Sequence, residues 1–135
     1  MALFEWSKEF ETGVSSIDTQ HKVLVDYVNR LDEGKKAGQM ASAMSVILDG
    51  LVEYTATHFA YEEKIFDKIS YSDSTAHKAL HGKLVAQVVE FRDKLKSEEA
   101  EITDDLMNFL KQWLIDHIQK EDMKYVSTFK ENHIL

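Results

Sequence analysis

Residues 44–69, MSVILDGLVEYTATHFAYEEKIFDKI, decide the fold of this chain. Met44, Ile47, Leu48, Leu51, Thr55, Phe59, Ile65, Phe66 and Ile69 fall in step at helical spacing, the period that lays one mainly apolar stripe along an α-helix. The polar run Ser70 to Thr75 closes that helix and offers caps for the next. Two side chains do not belong in an ordinary apolar stripe. His58 and Glu62 stand four residues apart, hence on one helix face, and Glu62 is flanked by Phe59, Ile65 and Phe66. A bare carboxylate there is costly, and a bound cation would neutralise it.

The same period recurs on either side. Ile17, Leu24, Val25, Val28 and Leu31 predict a first helix that fades at Gly34 and Gly38. Leu80, Leu84, Val85, Val88, Phe91 and Leu95 predict a third, followed by a charged link from Lys96 to Glu101. Thr103 reads as the N-cap of a fourth helix that carries Leu106, Phe109, Leu110, Trp113, Leu114 and Ile118 on its inner face. A short helix is expected in the tail from about Met123. Residues 1–15 break the pattern and are expected to form an arm, with Phe4, Trp6 and Phe10 packed against the outside. The expected fold is all-α: an up-down-up-down four-helix bundle with an N-terminal arm and a short C-terminal helix, one domain over residues 1–135.

Composition agrees and excludes several functions. The 135 residues are 44% apolar, with no proline and five glycines, so one core can form and long helices meet few breakers. The absence of cysteine removes disulfides, thiolate metal sites and cysteine nucleophiles, so any metal must take nitrogen and oxygen donors. A net charge of −8 repels phosphate backbones, which argues against nucleic acid as a partner. The longest apolar run, Met1 to Phe4, predicts neither a signal peptide nor membrane insertion, and a cytoplasmic monomer is expected.

Five of the six histidines lie in or beside the apolar stripes: His21, His58, His77, His81 and His117. His133 sits in the tail with no role assigned. In an up-down-up-down bundle the five fall at one end: His21 near the start of the first helix, His58 towards the end of the second, His77 and His81 at the start of the third, and His117 towards the end of the fourth. Independent core histidines have no reason to gather at one level, whereas a metal site built from facing helices requires it. His77 and His81, four apart, present two imidazoles on one face. In the fourth helix the carboxylate one turn beyond His117 is Glu121, while Asp122 stands about 140° round an ideal helix. Ideal geometry favours Glu121; a wide turn of the π type would bring Asp122 inward instead.

The lone His21 within Ile17-Asp-Thr-Gln-His-Lys, His58-x-x-x-Glu62, His77-x-x-x-His81 and His117-x-x-x-x-Asp122 together resemble the hemerythrin family, and the resemblance runs over nearly the whole chain. It implies Asp122 rather than Glu121. It also implies two non-haem iron ions with a bridging oxo or hydroxo group: His77, His81 and His117 on one, His21 and His58 on the other, Glu62 and Asp122 bridging both. The second iron then keeps an open place, where the family binds dioxygen reversibly. The chain is expected to be an oxygen carrier or store rather than an enzyme, with dioxygen as its ligand and an oxygen-consuming protein as a conceivable recipient. Phe59, Trp113 and Leu114 are expected to wall the oxygen pocket. The alternative is a di-iron sensor, or a protein handling peroxide, nitric oxide or iron at the same site. No Glu-x-x-His pair of the ferritin-like oxidases occurs.

Overall fold

The computed structural model describes residues 3–97 and 104–134. Four helices carry it: α1 (Ser15–Lys36), α2 (Ala41–Ile69), α3 (Ser74–Lys96) and α4 (Asp104–Asp116). Beyond α4 the chain runs on through a π-helical turn at His117–Glu121 and a 3₁₀ turn at Asp122–Tyr125 into α5 (Val126–Glu131). No strand occurs among the described residues. Helix α1 packs on α2 and α4, and α2 packs on α3, so sequence neighbours run antiparallel and close a four-helix bundle. Thr103, read as a cap, and the end of the charged link lie outside the described residues.

Local chemistry sets the ends that matter for the site. The Asp18 carboxylate accepts the backbone N–H groups of Thr12 and Gly13 and the Thr12 hydroxyl, tying the start of α1 to the incoming chain. Gly13 takes φ +80°, a left-handed conformation open to glycine at little cost. Helix α2 stops at Ser70, also left-handed with φ 54°, whose N–H donates to the Phe66 carbonyl.

The N-terminal arm lies deeper than its expected place on the outside. Phe4 and Phe10 are buried and join the main core, with ring centroids 4.9 Å apart, while Trp6 stays half-buried. The Asn29 side chain of α1 holds the arm by two bonds to the Phe4 backbone, accepting from its N–H and donating to its carbonyl, each at 2.9 Å. A side-chain amide can satisfy both the N–H and the carbonyl of a residue outside any regular element, which lets the arm bury its aromatics.

The apolar interior comes in two parts. The larger holds Leu24, Val28, Leu48, Leu51, Phe59, Leu84, Val88, Leu110, Leu114 and Ile118. The smaller holds Val14, Ile17, Ile65, Phe66, Tyr71, Tyr125 and Phe129. Ile17 and Leu24 bracket His21 along α1, and Phe59 and Phe66 bracket Glu62 along α2. The histidine and carboxylate layer is therefore sealed between two apolar blocks.

Candidate metal centre

All seven of His21, His58, Glu62, His77, His81, His117 and Asp122 are buried, none more than 4% exposed. They fall into two groups whose donor atoms lie within 4.8 Å of one another: Glu62, His77, His81, His117 and Asp122 in one, and His21, His58, Glu62 and Asp122 in the other. The two carboxylates belong to both.

Each carboxylate divides its oxygens between the two sets of imidazoles. Glu62 Oε1 lies 2.7 Å from His58 Nε2 and 3.9 Å from His21 Nε2, whereas Oε2 lies 3.2 Å from His81 Nε2 and 3.6 Å from His77 Nε2. Asp122 Oδ2 lies 2.7 Å from His21 Nε2, whereas Oδ1 lies 3.1 Å from His117 Nε2 and 3.2 Å from His77 Nε2. Donors about 2.1 Å from a common ion stand about 3.0 Å apart when adjacent and about 4.2 Å when opposite, the scale seen in each group.

The layer is unsatisfied as it stands. The Nε2 atoms of His21, His58, His81 and His117, with Glu62 Oε2 and Asp122 Oδ2, are buried without a hydrogen-bond partner. Buried polar atoms are rarely left so, and their convergence on two centres is what a pair of cations would satisfy. The residues present therefore fit a two-ion site of nitrogen and oxygen donors.

Asp122 reaches the layer through the π turn. Its N–H donates to the His117 carbonyl five residues back, which widens the turn and brings its carboxylate onto the His117 face. Asp122 is fully buried, while Glu121 points to the surface and accepts a bond from Lys124 at 3.1 Å. The ideal-helix preference for Glu121 is thus reversed by one extra residue in the turn.

Electrostatics match the burial. Burial pushes both carboxyls up, and their charges oppose each other, yet the surrounding imidazoles hold Glu62 and Asp122 well below the usual carboxylate range. Burial lowers the His58 imidazole, but the charges of Glu62 and Asp122 raise it to about 9. Burial lowers His77 as well, but its bond to Asp122 and the charges of both carboxylates outweigh that and raise it to about 9. At His21 desolvation wins and lowers the value. Without a metal, protons on His58 and His77 stand in for the missing positive charge.

The residues expected to wall an oxygen pocket are placed unevenly. The Phe59 ring stacks flat on His81 at 3.8 Å and lies 5.0 Å from His117. Leu114 is fully buried in the larger core block. Trp113 shares that block and also lines, with Leu80, Leu84, Phe109 and His117, an open cleft of about 280 Å³. His133 is exposed in the tail.

Three supporting residues escaped the sequence reading. Gln20 accepts at Oε1 from His58 Nδ1 at 2.6 Å, which keeps a proton on Nδ1 and makes Nε2 the nitrogen that a metal would deprotonate and bind. The Tyr125 hydroxyl donates to Glu62 Oε1 at 3.1 Å, and Glu63 Oε2 approaches His81 Nδ1 at 3.5 Å. Gln20 could have been suspected from its place beside His21; Tyr125 carries no sequence signal beyond lying one turn past Asp122.

Comparison with known proteins agrees with this geometry. Residues 12–129 match the profile of the family described as the hemerythrin HHE cation binding domain. The chain is 40% identical over 126 residues to a bacteriohemerythrin of Methylococcus capsulatus, covering 93% of this chain and 95% of that protein. It is 33% identical over 132 residues to a bacteriohemerythrin of Pseudomonas aeruginosa, covering 98% and 85%. A wild-type hemerythrin crystal structure superposes with a TM-score of 0.85 at 38% identity, over 93% of this chain and 97% of that one. A bundle whose helices bring five imidazoles and two shared carboxylates to one buried level, in a sequence matched along almost its whole length, belongs to the hemerythrin family.

Proposed function

We propose that this chain, acting as one domain over residues 1–135, binds dioxygen reversibly at a di-iron centre, as a carrier or store rather than an enzyme. The observation that supports it most is the unequal sharing of donors: three imidazoles and two carboxylate oxygens on one side, two imidazoles and the other two oxygens on the other. The first set would offer an ion five protein donors and the second four, so the second would leave more room for an external ligand. Bound there, a pair of iron ions supplies the electrons and the open coordination position that reversible dioxygen binding needs.

The chain's own residues do the rest. His77, His81 and His117 would hold one ion and His21 and His58 the other, with Glu62 and Asp122 offering an oxygen to each. Gln20 keeps a proton of His58 on Nδ1, so that Nε2 is the nitrogen a metal would bind. Phe59 and Leu114 put apolar surface against the layer on the side of the larger core block, which disfavours water there and would slow loss of a bound ligand to solvent. More histidines than carboxylates means fewer anionic donors, which favours holding dioxygen over splitting it.

The test is direct. Purified protein should carry two irons per chain and show a visible band that appears under oxygen and fades under vacuum through repeated cycles. Irreversible bleaching, or steady turnover of added peroxide, would favour the sensing, detoxifying or iron-handling alternative.

A further inference from the structure

We infer that Tyr125 is a positioning residue that commits one oxygen of Glu62 to the two-histidine half of the site and so sets the affinity of that half alone. The inference rests on the two-ion reading above. Tyr125 is fully buried, and its hydroxyl donates to Glu62 Oε1 at 3.1 Å. Oε1 is the oxygen that faces His58 at 2.7 Å and His21 at 3.9 Å, whereas Oε2, facing His81 and His77, has no hydrogen-bond partner. A carboxylate turns about its last torsion with two nearly equivalent settings. A half-turn only exchanges two identical oxygens, but the torsion well is broad, and a hydroxyl on the oxygen that faces His58 fixes the plane of the group and the direction of that oxygen's remaining lone pair.

The donor is held rigidly. The Tyr125 ring stacks on Phe129 at 4.2 Å and meets Phe66 edge-on at 5.6 Å. Its backbone lies in the same 3₁₀ turn that opens with Asp122, so one short turn delivers one carboxylate and clamps the other. Asp122, on a short side chain, is aimed by its backbone; Glu62, with one more torsion, needs the clamp. A ligand held from behind in this way keeps its geometry on metal binding, and loss of such partners weakens affinity about 10–100-fold in known sites.

The test is anaerobic titration of the metal-free protein with Co²⁺, followed by calorimetry and the visible bands of the ion. The five-donor set fills first and the four-donor set second. Tyr125→Phe keeps the ring, and with it the packing on Phe129 and Phe66, while removing the hydroxyl. The first step should stay as in the wild type and the second should weaken about tenfold. Equal weakening of both steps would mean a packing role and overturn the inference, as would two unchanged steps. Phe129→Leu, which perturbs the packing and keeps the hydroxyl, should leave the difference between the two steps as in the wild type; a selective loss of the second step there would also overturn it. A measurement on the wild type covers a variant that fails to fold: the near-ultraviolet tyrosine band, which both ions can reach through Glu62, should change more with the second equivalent of Co²⁺ than with the first, and an equal or larger change with the first would overturn the assignment. A wild-type protein that takes only one equivalent overturns the two-ion reading itself, a result distinct from any difference between variants.

Discussion

Glu62 and Asp122 carry two negative charges into a layer from which water is excluded, and the residues around them decide how those charges are met. In the metal-free chain the answer is protons on imidazoles, and it has a definite pH dependence. His58 and His77 are raised from 6.5 to about 9, so the stability they contribute is fully present below 6.5 and is lost as pH rises through about 9. Glu62 and Asp122 are depressed, so theirs is present above the ordinary carboxylate range and is lost as pH falls below it. Metal binding requires neutral imidazoles and expels those protons, so its affinity rises over the same interval in which the metal-free chain weakens. Thermal unfolding with chelator should therefore show a lower midpoint at pH 9 than at pH 6, while the gain on adding metal should be larger at pH 9. A gain independent of pH would mean that these imidazoles do not exchange protons for metal. Leu114 is the second residue whose role is testable alone. Buried among apolar neighbours, it leaves no group to order water, and Leu114→Asn would introduce one. Autoxidation of the iron-loaded protein should become several-fold faster; an unchanged rate removes Leu114 from the pocket.

At the scale of the element, the π turn at His117–Glu121 is the feature on which the site turns. Regular helix would carry Glu121 inward and leave Asp122 about 140° away from His117. One extra residue per turn brings Asp122 round instead, and the 3₁₀ turn that follows restores the register of Tyr125 and Phe129 with the smaller core block. A helix that is locally wider makes poorer use of its hydrogen bonds, so the turn is held by tertiary contacts: Asp122 against His21, His77 and His117, and Tyr125 against Glu62. Asp122→Ala should abolish stable binding of the ion pair, because each half loses one donor and three imidazoles, His21, His77 and His117, lose an anionic partner. Glu121→Ala, at a half-exposed position, should leave iron content unchanged. Iron counted per chain in both variants checks this, and the reverse pattern would give Glu121 the bridging role.

The whole molecule is a bundle interrupted by a polar layer, with an apolar block on either side. Such a layer adds no hydrophobic stabilisation and would be a weak point if its groups stayed unpaired. Ions that bind the folded chain and not the unfolded one convert the weak point into a staple, by about 2.7 kcal/mol per site at a hundredfold excess over Kd. For a domain of this size that corresponds to a rise in melting temperature of about 10 °C for each site so loaded. Calorimetric scans of chelated and metal-loaded protein check this, and coincident transitions would mean that the layer does not bind metal in the folded state.

The helices, their order and the end of the bundle where the histidines gather were legible in the chain itself, because helical periodicity is a local property and an antiparallel bundle with short links leaves few ways to arrange it. The family resemblance of the motifs also pointed to Asp122 where ideal geometry pointed to Glu121. Tertiary structure alone decided the depth of the arm, which depends on Asn29 meeting Phe4 across twenty-five residues. It alone decided which oxygen of each carboxylate faces which imidazoles, and that Gln20 and Tyr125 stand behind them. An oxygen's direction and a hydroxyl's reach are set by packing between elements distant in sequence, and no spacing within one helix encodes them.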